Sequence, residues 1–100
     1  MNVHLNNITP GEILLEDYMK PMGLTQNALA KALGVPPRRI NEIVHGTRAV
    51  TLDTSLRLGR FFGQSPRFWL NIQIDCDLRN AKELMERIER EVHPLAATAA

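Results

Sequence analysis

Arg38, Asn41, Glu42 and His45 fall on one face of a helix when residues are placed at about 100° intervals, with Arg39 at the edge of that face. Ile40, Ile43 and Val44 share the opposite face. Arginine forks onto the O6 and N7 of guanine, and asparagine onto the N6 and N7 of adenine. An exposed face carrying both suits the major groove of duplex DNA. Glu42 repels phosphate; it either accepts from cytosine or orients an arginine. Gln26, at the start of the preceding helix, is placed for a phosphate, as helix N-termini are. Thr47 and Arg48 follow the reading helix and are placed to grip the backbone.

Such a face must be held by a second helix crossing close behind it. A helix-turn-helix needs a small residue where the helices cross, a residue tolerant of positive φ in the turn, and apolar residues locking both helices to a core. Counting from Gln26, Ala30 is fifth and Gly34 ninth. Leu29, Leu33, Val35, Ile40 and Ile43 fill the fourth, eighth, tenth, fifteenth and eighteenth places. All seven requirements are met together, and the residues between Gln26 and Ile43 read as a DNA-binding helix-turn-helix.

The rest of the chain is punctuated for helices. Thr9-Pro10-Gly11-Glu12 reads as a capping box with proline at the first helical position. Helix 1 follows and is expected to stop near Lys20, before Pro21. Thr25 caps helix 2 (Gln26 to Leu33), which ends at Gly34. Pro36-Pro37 opens helix 3, about 37–45, ending at Gly46. Thr51 caps helix 4 (Leu52 to Phe62), ended by Gly63. Ser65-Pro66 is expected to open helix 5, whose apolar residues recur at helical spacing to Val92. Its continuity through Leu78 to Asn80 is open. No segment alternates in the β manner. The class is all-α: five helices with a C-terminal amphipathic extension. The expected organisation is an arm over residues 1–8, the helix-turn-helix domain over 9–79, a C-terminal helix over 80–93 and a disordered tail over 94–100.

One hundred residues suffice for one domain with a small core. Net charge is only +1. Its distribution is uneven: Thr25 to Arg48 holds four bases and one acid, while Asp75 to Glu91 holds six acids and four bases. Positive charge in the middle and negative charge at the ends suggest one face for phosphates and another for a different partner. The single Cys76 allows no disulfide within the chain, which fits a reducing cytoplasm, and no apolar run approaches a membrane span. The first eight residues have no signal-peptide pattern. His4, His45 and His93 have no zinc spacing, no phosphate-binding glycine loop is present, and no nucleophile has a partner histidine. No metal, cofactor or catalysis is expected. Phe68, Trp69 and Ile72, at the entry to the C-terminal region, suggest a homodimer seam, because single helix-turn-helix domains bind as two-fold pairs.

Four runs carry a family resemblance: Pro10 to Leu14, Leu24 to Ala30, Gly34 to Ile43 and Ser65 to Asn71. Val-Pro-Pro-Arg-Arg-Ile-Asn-Glu-Ile and Ser-Pro-Arg-Phe-Trp-Leu-Asn are the specific ones. Over roughly His4 to Arg79 the chain resembles HigA-type antitoxins of the Xre, or phage-repressor-like, helix-turn-helix class. The resemblance implies a lambda-repressor-like fold and a type II toxin–antitoxin role. It implies a dimer that represses its own operon through palindromic operator DNA and binds a small basic RelE/HigB-like toxin that cleaves mRNA. It also implies that Gln26 touches phosphate and that Pro37 and Arg38, opening the recognition helix, touch bases. Pro37 has no donor, so readout must rest on arginine and asparagine. Helix 1 and the acidic C-terminal region are the candidate toxin surfaces. The alternatives are a stand-alone repressor without a toxin and an interaction module that no longer binds DNA.

Overall fold

In the computed structural model, residues 8–95 are described and, among them, every regular element is helical. The expected arm and tail lie mostly outside these residues. The chain is helical from Pro10 to Met22 in three continuous pieces, Pro10–Ile13, Leu14–Met19 and Lys20–Met22, which together form α1. The others are α2 (Gln26–Leu33), α3 (Pro37–Val44), α4 (Leu52–Phe62), α5 (Phe68–Arg79) and α6 (Lys82–Glu91).

The capping box at Thr9 is complete: Glu12 N–H donates to Thr9 Oγ1 at 3.1 Å, and Thr9 N–H donates to Glu12 Oε1 at 3.0 Å. α1 does not stop before Pro21, as the sequence suggested. Its middle piece, Leu14–Met19, is π-helical, and the helix runs on to Gly23 at φ 66°. Proline has no N–H to return to the carbonyl four residues back and its ring crowds that carbonyl. A widened turn ahead of it relieves both. Thr25 and Thr51 cap α2 and α4. α5 begins at Phe68 rather than at Ser65-Pro66; those residues form the preceding turn, where Ser65 Oγ accepts from Arg67 N–H at 3.1 Å. It ends at Arg79, so the apolar stripe does not lie on one helix. Asn80 breaks it, its Nδ2 donating to the Cys76 carbonyl at 3.0 Å in competition with the helical backbone.

The core joins Leu14 and Met19 of α1 to Leu29, Ala30 and Leu33 of α2, Ile40 and Ile43 of α3, Leu58 of α4 and Trp69 of α5. Trp69 is wholly buried, and its Nε1 donates to Gln64 Oε1 at 2.7 Å. That removes it from the expected dimer seam, because its ring is spent inside its own protomer. Phe68 and Ile72 also pack against this core, half-buried. Cys76 is buried.

Gly11 seats α1 on the end of α3. A Cβ there would run into the carbonyl of Ile43. Gly11→Ala is expected to force the two helices apart and cost about 1–3 kcal/mol, read from urea midpoints.

Candidate nucleic-acid interface

α2 and α3 cross where Ala30 is fully buried, and the turn between them passes through Gly34 at φ 72°. Proline suits the start of α3. Pro36 is extended (φ −64°, ψ 143°), and Pro37 takes the first helical position, where its missing N–H is no loss. Ile40 and Ile43 face inward. Arg38, Asn41 and His45 face outward, with Glu42 half-buried among them.

Glu42 is the centre of the outer face. Arg38 Nε donates to its Oε2 at 3.0 Å, and Arg48 Nε, from the loop after α3, donates to its Oε1 at 2.8 Å. Each arginine thereby spends Nε and keeps its terminal amino groups for another partner. Arg38 projects furthest, with 84% of its side chain exposed. Asn41 Nδ2 donates to Gln26 Oε1 at 3.0 Å, which ties the outer face of α3 to the start of α2 and leaves the Gln26 amide as a donor. His45 Nδ1 donates to the Asn41 carbonyl at 2.8 Å, and Thr47 donates from both N–H (2.9 Å) and Oγ1 (3.2 Å) to the Glu42 carbonyl, closing the end of α3. The sequence-selected residues Gln26, Arg38, Asn41, Glu42, His45, Thr47 and Arg48 are thus brought together, with Pro37 exposed beside them.

Arg39 turns away. Its Nη1 donates to Asp53 Oδ2 at 2.7 Å, and Arg57 Nε donates to the same oxygen at 2.9 Å. Arg57 also donates from Nη1 to the Leu33 carbonyl at 2.9 Å, at the end of α2. Asp53 and Arg57 escaped the sequence reading. Their separation of four on one helix marks an ion pair, but nothing in the spacing reveals that Asp53 reaches Arg39.

Arginine contacts set the charge of both acids. The hydrogen bonds from Arg48, then Arg38, hold the Glu42 carboxyl below its ordinary value of 4.5. Those from Arg57, then Arg39, hold Asp53 below 3.8. A carboxylate lowered on folding contributes stability above its unfolded value and loses it as pH falls through the folded one. Wild type is therefore expected to melt above Glu42→Gln/Asp53→Asn near neutral pH. The two melting curves should draw together as pH falls below about 4 and meet only once it is below the lowered values of both folded carboxyls.

The helix-turn-helix family model matches residues 15–69. The chain is 58% identical over 76 residues to virulence-associated protein I of Dichelobacter nodosus, covering 76% of this chain and 70% of that protein. It is 33% identical over 88 residues to antitoxin HigA-1 of Vibrio cholerae, covering 88% and 83%. The solved structure of Pseudomonas aeruginosa antitoxin HigA with the higBA promoter superposes with a TM-score of 0.81 at 37% identity, covering 89% of this chain and 98% of that one. The helix-turn-helix antitoxin family is a DNA-binding, non-enzymatic one. From a matched model over half the chain and a HigA relative over most of it, this chain belongs to the Xre-like helix-turn-helix family, among its HigA-type antitoxins.

Proposed function

We propose that this chain acts in the cytoplasm as an operator-binding antitoxin, which reads duplex DNA as a homodimer, represses its own operon and neutralises a RelE/HigB-like toxin. The observation that carries the DNA reading is the braced face of α3. Arg38 and Arg48 are fixed by one carboxylate, Asn41 is fixed by Gln26, and all four side chains stand on the solvent side of a buried helix crossing. Pre-set side chains lose less freedom on binding. Arg38 and Asn41 are the base readers. Gln26, Thr47 and Arg48 serve the backbone, with His45 and Pro37 beside them. Arg39 supports from the flank. The HigA relative seen with its promoter is consistent with this use of the same fold.

The toxin surface is expected to be folded and acidic, since a basic partner wants carboxylates. On α1, Glu12 is committed to the N-terminal cap and Glu16 accepts from Lys20 at 2.9 Å. Asp17 is exposed beside them.

Two experiments test the proposal. In a gel shift with the chain's own promoter region, wild type should retard the duplex and Arg38→Ala/Arg39→Ala should not; equal shifts would remove α3 as the reader. Co-purification with the product of the neighbouring gene tests the antitoxin role, and a complex unchanged by Glu16→Lys/Asp17→Lys would remove α1 as the toxin surface.

A further inference from the structure

Glu42 and Asp53 each hold two arginines, but in different ways. Glu42 gives a separate oxygen to each, and both arrive through Nε. Arg38 and Arg48 therefore keep the far end of the guanidinium fork, which is the end that grips a base or a phosphate. Asp53 receives both of its arginines on one oxygen, Oδ2, with Arg39 at 2.7 Å and Arg57 at 2.9 Å. Arg39 arrives through Nη1, so its far end is tied to a carboxylate. The two partners of Asp53 are not equally free to leave. Arg57 is anchored a second time, by Nη1 on the Leu33 carbonyl at 2.9 Å. The same nitrogen would lie 3.3 Å from a Cβ on Gly34, so this guanidinium packs over the turn between α2 and α3. Arg39 makes no other side-chain hydrogen bond among the described residues. Arg57 and Asp53 are thus the fixed half of the cluster, and Arg39 is the half that can depart. Its departure leaves the carboxylate still paired. The cost is one ion pair open to water on an exposed carboxylate, which is small.

Arg39 is the third residue of α3, at the edge of the face that carries Arg38 and Asn41. Resting on the operator-binding reading above, we propose that Asp53 is a positioning residue for DNA binding: it holds Arg39 back from the phosphates, and a duplex gains this arginine only by drawing it off Asp53. The flank support of Arg39 is thus kept in reserve. A phosphate accepts from arginine whatever base pair lies beside it, so the restraint acts on every sequence alike. In this Asp53 differs from Glu42, which fixes a base reader. The restraint also has its own signature. Each phosphate neutralised by a cation releases condensed counterions, so the number of arginines engaged is written in the salt dependence of binding.

Anisotropy titrations of the full chain against its own promoter duplex and a scrambled duplex, from about 50 to 200 mM salt, test this. Asp53→Asn should bind both duplexes about three- to tenfold tighter at the low end, with a salt slope steeper by about one unit. Its circular dichroism should match wild type, since the asparagine oxygen still accepts from Arg57. Arg39→Gln should cost little in the wild type and should remove the whole gain in the Asp53→Asn background, restoring the original slope. Weaker binding by Asp53→Asn would overturn the restraint and make Asp53 a support that aims Arg39 at the duplex. A gain that survives Arg39→Gln would be a general effect of charge, and would overturn it as well. A wild type that binds its promoter no better than the scrambled duplex would leave the restraint standing if the Asp53→Asn gain and its loss on Arg39→Gln were seen, and would overturn the operator reading alone. A wild type that binds neither duplex would overturn both.

Discussion

Arg38→Ala is expected to weaken binding to an operator duplex by about 5–150-fold per half-site, the loss of one bidentate arginine at about 1–3 kcal/mol. The side chain buries almost nothing, so the fold should be untouched. The contrast with its neighbours is more informative than the loss itself. Arg48→Ala, on its proposed role as a backbone contact, should lower affinity for every sequence alike and flatten the salt dependence by about one unit per phosphate lost. Glu42→Ala frees both arginines and removes a negative charge from the phosphate side. Non-specific affinity should rise while the preference for the best sequence falls. Were Glu42 itself a cytosine reader, preference would fail at a single base pair only. Anisotropy titrations of a duplex selected from a random library, against a scrambled duplex and across a salt series, separate these outcomes.

Trp69→Ala is expected to destabilise the domain by about 3–5 kcal/mol, a large share of the total that a domain of this size possesses. Two losses combine. The largest side chain of the core leaves a cavity between Tyr18, Phe62 and Phe68, whose rings stand 4.9–6.4 Å from one another and from the indole where they pair. The amide of Gln64, which donates to the Tyr18 hydroxyl at 2.9 Å, also loses its indole donor. Trp69→Phe keeps most of the volume and should cost less, about 1–2 kcal/mol more than packing alone for the unmet bond. Urea unfolding gives both values. If Trp69→Ala shifted only the monomer–dimer equilibrium, the placement of this residue in the protomer core would be wrong.

The helix-turn-helix was legible because its constraints are local and stringent. A crossing needs Ala30, a turn needs Gly34, and threonines and glycines mark the helix ends. The outer face of α3 followed from periodicity. Its wiring did not. Glu42 lies four residues from Arg38, a readable pair, but Arg48 returns to it across a loop, and Asp53 reaches Arg39 from another helix. Glutamines were the other blind spot. Gln64 bridges Tyr18 and Trp69, and Gln73 Oε1 accepts the Val50 N–H at 2.8 Å. A glutamine serving the core looks in sequence like one on the surface. Trp69 misled for a related reason, since a large aromatic fits a seam and a core equally well until the neighbouring elements are in place. α1 overran its expected end because proline forbids one hydrogen-bond register and permits another.

Trp69 is the only tryptophan in the chain, and it sits wholly buried on one hydrogen bond, remote in sequence from both α3 and α6. Its emission is therefore an optical label that nature has installed for one event alone. The band should lie to the blue while the core around Trp69 is folded and move to the red when that core opens. Neither separation of two copies nor seating on a duplex should move it. A single cuvette can then distinguish unfolding from dissociation, two transitions that overlap in any measurement of size or helicity.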